Sequence, residues 1–197
     1  MVKRIFDGKI SIMVNHRQYN LFHYRWIIPI IGVLYQKDGA KFITFLNELK
    51  ISRSVLTSTL CKLIAHGFVM RNPGYGHPLR PEYILTAKGI RLGPFCNEMM
   101  ACIIDRKEYH LLQSKWAVQI IYLCSQGEIR FSELKSALTP ITSRALSEEL
   151  KSLNSEGFIK RKIIKSYPPI TTYSLAKKSI PFIKVIIRHK DILIPFL

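Results

Sequence analysis

Cysteine is scarce in this chain of 197 residues, and the four present, Cys61, Cys96, Cys102 and Cys124, are scattered. That spacing excludes a CxxC metal knuckle and a dense disulfide frame, and it reads as reduced thiols in a cytoplasmic protein. A leader is not expected, because Met1 to Phe22 has no continuous apolar stretch. Long hydrophobic runs are missing too: the longest, Trp26 to Tyr35, is about half of the roughly 20 residues that a membrane span requires. No membrane contact is expected. Catalytic patterns are also lacking, since the six histidines and four cysteines show no paired spacing with carboxylates. No GxGxxG, P-loop or HExxH pattern occurs, so the expectation is no enzyme, no metal and no cofactor.

Acidic residues are few. Lys and Arg total 30 against 13 Asp and Glu, a formal net charge of +17. Divided after Glu98, the first part holds 14 basic and five acidic residues and the second 16 and eight, so both parts share the excess. A polyanion met by both halves fits this distribution better than one met by a basic tail. Hydrophobic residues make up 48% of the chain, which is far too apolar for disorder and enough for one large core or two small ones.

What the sequence does contain is a repeat. Within Ile141 to Leu175, Leu146, Leu150 and Leu153 fall at i, i+4 and i+7 and give a short helix one apolar face. Gly157 ends that helix. Strand-forming residues then run from Phe158 to Lys165, break at Tyr167-Pro168-Pro169 and resume from Ile170 to Leu175. Helix, glycine, strand, turn, strand is the second half of a winged helix. Ninety residues earlier, Ile51, Leu56, Leu60, Leu63, Gly67, Phe68, Arg71, Pro78, Tyr83 and Leu85 repeat the series, and Trp26 anticipates Trp116. Phe42 pairs with Phe131 at an offset of 89, which a single insertion balanced by a single deletion explains. Two copies of one unit are the expectation.

The expected fold class is mainly α with small β wings (α+β): tandem winged helix-turn-helix domains forming an internal pseudo-dimer. Residues 1–18 are an arm of uncertain kind, 19–95 a first winged-helix domain, 96–108 a helical spacer, and 109–197 a second domain with a closing C-terminal helix. In the first copy the pattern predicts a first helix over Tyr19 to Tyr35, with Pro29 in its first turn. A second helix covers Phe42 to Lys50 with Thr44 as N-cap, and a third is capped by Ser52 with Val55, Leu56, Leu60, Leu63 and Ile64 inward. Thr86 caps a helix with a break at Pro94 that reaches about Asp105. The second copy repeats the scheme with helices over Tyr109 to Ser125, Ser132 to Leu138 and Thr142 to Ser155. Lys177 to Ile194 forms the last helix. Trp26 and Trp116 are expected as core pillars.

The ordered series Trp116, Arg130-Phe131-Ser132-Glu133-Leu134, Ile141, Leu146-Ser147, Gly157-Phe158-Ile159, Arg161, Pro168-Pro169 and Tyr173-Ser174-Leu175 resembles the HxlR branch of the MarR-like winged-helix transcription regulators. The first copy keeps Tyr83-Ile84-Leu85-Thr86-Ala87-Lys88-Gly89, which looks like the family's YxLTxxG segment. In the second copy that segment weakens to Leu175-Ala176-Lys177-Lys178-Ser179.

The resemblance implies a sequence-specific regulator with double-stranded DNA as partner, reading two half-sites with the third helix of each repeat. It also implies a monomeric pseudo-dimer or a homodimer, and leaves any small-molecule effector unidentified. Third helices of such domains enter the major groove while the wings lie along phosphate. The implied DNA-binding residues are Arg53, Ser54, Thr57, Ser58 and Lys62 on the first third helix and Ser143, Arg144, Ser147, Glu148 and Lys151 on the second. In the wings they are His77 and Arg80, and Lys162, Lys165 and Tyr167. Cys61 is the one thiol on that face. A solvated helix face would carry the same polar residues, and winged helices also serve as protein-interaction adaptors in transcription or replication assemblies.

Overall fold

Duplicated patterning yields duplicated topology. A computed structural model of the chain describes residues 25–72, 82–103, 109–167 and 169–193. The expected arm, the start of the first helix before Arg25, the loop 73–81 with His77 and Arg80, residues 104–108 of the expected spacer, Pro168, and the final four residues, Ile194 of the expected last helix among them, lie outside them. Tyr24–Ser114 forms one compact unit, and the described residues from Lys115 onward form the other.

The first unit runs α1 (Ile27–Lys37), β1 (Ala40–Lys41), α2 (Phe42–Leu49), α3 (Arg53–Ala65), β2 (Val69–Asn72), β3 (Glu82–Leu85), α4 (Ala87–Ala101) and α5 (Tyr109–Gln113). The second runs α6 (Ala117–Ser125), β4 (Ile129–Arg130), α7 (Phe131–Ala137), α8 (Ser143–Ser155), β5 (Ile159–Ile164), β6 (Ile170–Leu175), a 3-10 turn at Lys177–Ser179, α9 (Ile180–Arg188) and α10 (Lys190–Leu193). Each unit holds an antiparallel three-stranded sheet with the returning wing strand in the middle, ordered β1-β3-β2 and β4-β6-β5. The registers match across copies: Val69 faces Leu85 as Ile159 faces Leu175, and Arg71 faces Tyr83 as Arg161 faces Tyr173.

The offset of 89 lies where the sequence places it. Ala40 pairs with Tyr83 while Ile129 pairs with Tyr173, so the strands that follow α1 and α6 are 89 apart against partners 90 apart. The compensating insertion falls at Thr139-Pro140, two residues against the single Lys50: Leu49 and Leu138 are still 89 apart, whereas Ile51 and Ile141 are 90 apart, and all four are buried.

In the first unit, α4 packs along α1. Gly93 permits the approach, because a Cβ there would stand 2.1 Å from the Tyr35 ring. Gln36 of α1 donates to Asn97 of α4 at 2.7 Å. Buried Ile30, Ile31 and Leu34 of α1 and Leu92, Phe95 and Met99 of α4 supply much of that core. The helix expected to act as a spacer thus begins at Ala87 and is built into the first unit. It passes through Pro94 without interruption. In the second unit Phe158 meets Phe182 of α9 edge to face at 5.6 Å, adding a directed contact to the buried Val185 and Ile186.

Several local expectations change. Thr44 lies inside α2, whose N-cap position is Lys41 in extended conformation. Tyr109 to Ser125 is two helices rather than one, with Trp116 at the N-cap position of the second. The closing helix is three pieces, divided at Ser179 and His189. Pro29 falls at the third position of α1, where its missing N–H costs no helical bond. Trp116 is buried at 9%, whereas Trp26 is half-exposed and takes φ 73° just before α1.

Candidate nucleic-acid interface

The third helix of each copy is anchored the same way at its start. Ser52 accepts from the Val55 N–H at 3.4 Å and Thr142 from the Ala145 N–H at 3.2 Å, satisfying one orphan donor of α3 and of α8. Below the cap, Leu56, Leu60 and Leu63, and Leu146, Leu150 and Leu153, are at most 2% exposed. They fix which face each helix turns outward.

Two residues expected inward on α3 are not. Val55 and Ile64 are 41% and 39% exposed, and buried Thr59 takes the inner position, donating its hydroxyl to the Val55 carbonyl at 2.8 Å. Leu56, Thr59, Leu60 and Leu63 form the i, i+3, i+4, i+7 stripe, and Val55 and Ile64 fall just outside it.

Arg53, Ser54, Thr57, Ser58 and Lys62 all lie exposed on the outer side of α3, with Cys61 among them. On α8, Ser143, Arg144, Ser147, Glu148 and Lys151 do the same. Arg144 donates from Nε to Glu148 Oε1 at 2.9 Å across one helical turn. That hydrogen bond is the first cause holding the Arg144 guanidinium above its ordinary pKa. The contact occupies Nε alone, so the guanidinium's terminal N–H groups remain available for a planar bidentate acceptor.

Lys160, Arg161, Lys162, Lys165 and Tyr167 are exposed along the second wing. The Lys162 ammonium lies 3.4 Å from Glu128 Oε1, and Glu128 also accepts from the Thr172 hydroxyl at 3.4 Å. Asn154 of α8 accepts the Arg161 N–H at 3.0 Å and ties the wing's root to the third helix.

A pair of lysines outside the expected set completes the frame. Lys88 donates to the His66 carbonyl and Lys178 to the Glu156 carbonyl, each at 2.9 Å, where α3 and α8 end. Their ammonium groups stand 4.3 Å over the Phe68 ring and 4.5 Å over the Phe158 ring. A cation at a helix C-terminus meets its partial negative charge, and over an aromatic face it meets the ring's quadrupole. The sequence did carry the signal, since both lysines occupy the same offset of 90 as the leucines. Lys160 and Arg161 also lie outside the expected DNA-binding set, although the run Lys160-Arg161-Lys162 is visible in the sequence.

The join between wing and following helix differs between copies. In the first, Thr86 N–H reaches the Phe68 carbonyl at 3.0 Å, the Thr86 hydroxyl donates to the Gly67 carbonyl, and Gly89 passes so close that a Cβ would stand 2.1 Å from the Phe68 oxygen. In the second, Ala176 N–H makes the matching bond at 3.1 Å, and the buried Ser179 hydroxyl donates to the Phe158 carbonyl. A hydroxyl thus fills the place that glycine leaves open.

Among the described residues no group of His, Cys, Asp or Glu is arranged to hold a metal ion, and no helix is long and apolar enough to cross a membrane.

The HxlR-like helix-turn-helix family matches this sequence twice, over residues 21–109 and 111–191. Among relatives, the chain is 37% identical over 82 residues to the uncharacterized HTH-type transcriptional regulator YvaP of Bacillus subtilis, spanning 42% of this chain and 76% of that protein. It is 43% identical over 70 residues to the uncharacterized HTH-type transcriptional regulator BH0655 of Halalkalibacterium halodurans, spanning 35% of this chain and 62% of that one. A crystal structure of a MarR-family protein from Porphyromonas gingivalis aligns with a TM-score of 0.39 at 35% identity, over 44% of this chain and 87% of that one. Each of these alignments extends over less than half of the present sequence, whereas the two family matches lie end to end along nearly all of it. The chain belongs to the HxlR-like helix-turn-helix family and carries that unit in tandem.

Proposed function

We propose that the protein is a sequence-specific double-stranded DNA-binding transcription regulator in which α3 and α8 each read one half-site. The observation that carries this reading is the repeated construction of those helices: capped at the start, buried along a leucine stripe, and lined outward with basic and hydroxyl side chains. In such a complex the two copies stand in for the two subunits of a dimer, on half-sites about one helical turn apart.

Roles follow from side-chain chemistry. Arg144 offers a planar fork suited to guanine O6 and N7, and Glu148 is an acceptor suited to the cytosine amino group. Arg53 takes the corresponding cationic role on α3, with Ser54, Thr57 and Ser58 as hydroxyl partners to base edges. Lys62, Lys151, Lys162, Lys165 and Tyr167, with His77 and Arg80 of the first wing, serve phosphate. The net charge of +17 supplies the long-range attraction.

Binding to a selected duplex, followed by fluorescence anisotropy from 50 to 200 mM salt, tests the reading. About six neutralised phosphates would cost roughly a thousandfold in affinity over that range. A flat salt response sinks the proposal. So does unchanged binding by the folded double variant Arg53→Ala/Arg144→Ala.

A further inference from the structure

We infer that the DNA element of this protein is asymmetric, its two half-sites differing in sequence because the two reading helices present different chemistry at equivalent positions. The inference rests on the DNA-binding reading above and deepens it.

The frames of the two helices are alike, so the comparison is position by position. Ser52 and Thr142 cap them, the leucines at 56, 60 and 63 match those at 146, 150 and 153, and Lys88 and Lys178 fasten their ends. The outward residues diverge within that shared frame. Arg53 corresponds to Ser143, Ser54 to Arg144, Ser58 to Glu148 and Cys61 to Lys151, and all eight are exposed. The arginine has moved by one residue, which rotates it about 100° around the helix axis and raises it by about 1.5 Å. It therefore meets a different base pair, or the same pair from a different side.

The second difference concerns sign. Glu148 gives α8 an acceptor-only group that also orients Arg144 at 2.9 Å. The equivalent Ser58 can both donate and accept, and Ser54 beside it has no fork to orient. Only the α8 half-site can therefore demand a cytosine amino group through a carboxylate. The α3 half-site instead meets Val55, 41% exposed on the first turn, whose methyls suit the C5-methyl of thymine. The α8 counterpart is Ala145, which is only half-exposed. A homodimer of single-copy subunits has two identical readers, whereas a chain that carries both copies is free to let them differ.

Selection from a random duplex pool with the full chain tests this directly. The expected result is a composite of two unlike half-sites, the one read by α8 containing a G·C pair and the one read by α3 a thymine. A graft of the α8 pattern onto α3 (Arg53→Ser, Ser54→Arg, Val55→Ala, Thr57→Ser, Ser58→Glu, Cys61→Lys) changes exposed positions only. It should retain the circular dichroism of the parent and select two copies of the α8 half-site. On that doubled element the graft should bind at least about tenfold more tightly than the parent, the scale of one good base contact. Two identical half-sites from the parent overturn the inference while leaving the DNA reading intact, and so does enrichment of a single half-site only. No enrichment by either protein overturns both.

Discussion

Lys178 Nζ lies 2.9 Å from the Glu156 carbonyl oxygen, at the end of the helix that carries Arg144 and Glu148, and Lys88 makes the same contact with His66 ninety residues earlier. The lysine stems descend from the segments that follow the wings, so each reaching side chain joins the wing's return to the far end of a third helix. Replacing Lys178 or Lys88 with Met keeps much of the apolar stem and removes the cation. The expected cost is about 1 kcal/mol for either, combining helix-end and ring contributions at a solvent-exposed site. Thermal scans should show the affected unit melting about 4–8 °C lower. Hydrogen exchange should show the loss concentrated at the last turn of the matching helix.

Gly89 faces a backbone oxygen, and Gly32 faces the end of a flexible side chain. A Cβ on either would stand 2.1 Å from its neighbour, the Phe68 carbonyl oxygen in one case and Met100 Sδ in the other. Gly89→Ala should destabilise by about 3 kcal/mol or more, because the strand cannot withdraw without losing the Thr86 bond. Gly32→Ala should cost less, as Met100 can turn aside. Denaturant titration of the two variants orders them; equal costs would refute the distinction.

The thiols predict an alkaline weakening. Burial pushes the Cys124 thiol from 9.0 up to about 12 and raises Cys96 further still. Unfolded chains release these protons from about pH 9 while the folded protein keeps them, so the unfolded state binds fewer protons and stability falls as pH rises. The stabilisation is complete below pH 9 and is lost progressively towards pH 12, at up to about 1.4 kcal/mol per pH unit for each thiol in that window. Cys124→Ala and Cys96→Ala should each flatten the decline. Alkylation at pH 8 should mark the exposed Cys61 first and spare both buried thiols.

Leu56 and Leu146 are fully buried at equivalent points of α3 and α8. Truncating either to Ala should cost about 2–5 kcal/mol, because neighbouring residues close such a cavity only in part. The Leu146→Ala loss should appear in hydrogen exchange of the second unit and the Leu56→Ala loss in that of the first.

Repetition made much of this fold legible. The leucine stripes, Ser52, Thr86, Gly67 and Gly157, and the wing strands were visible because local geometry demands those residue types at those spacings. Val55 and Ile64 were misread for a physical reason. Hydrophobicity alone does not fix a stripe's edge, and Thr59 can sit inside by returning its hydroxyl to the Val55 carbonyl. Pro94 signals a break in the sequence, yet α4 continues through it. Lys88 and Lys178 escaped notice because a lysine's reach across the fold leaves no local periodicity, and only comparison between the copies exposes it. The pairing of Arg144 with Glu148 was implicit in their spacing of four.

The shared strand register has a practical consequence. Because Val69 faces Leu85 as Ile159 faces Leu175, nearly every substitution can be made twice within one molecule, in equivalent backbones set in different surroundings. Each copy then serves as the internal control for its sibling under the same buffer, temperature and preparation. Any disparity between twin mutants isolates the influence of neighbouring side chains from that of the fold itself.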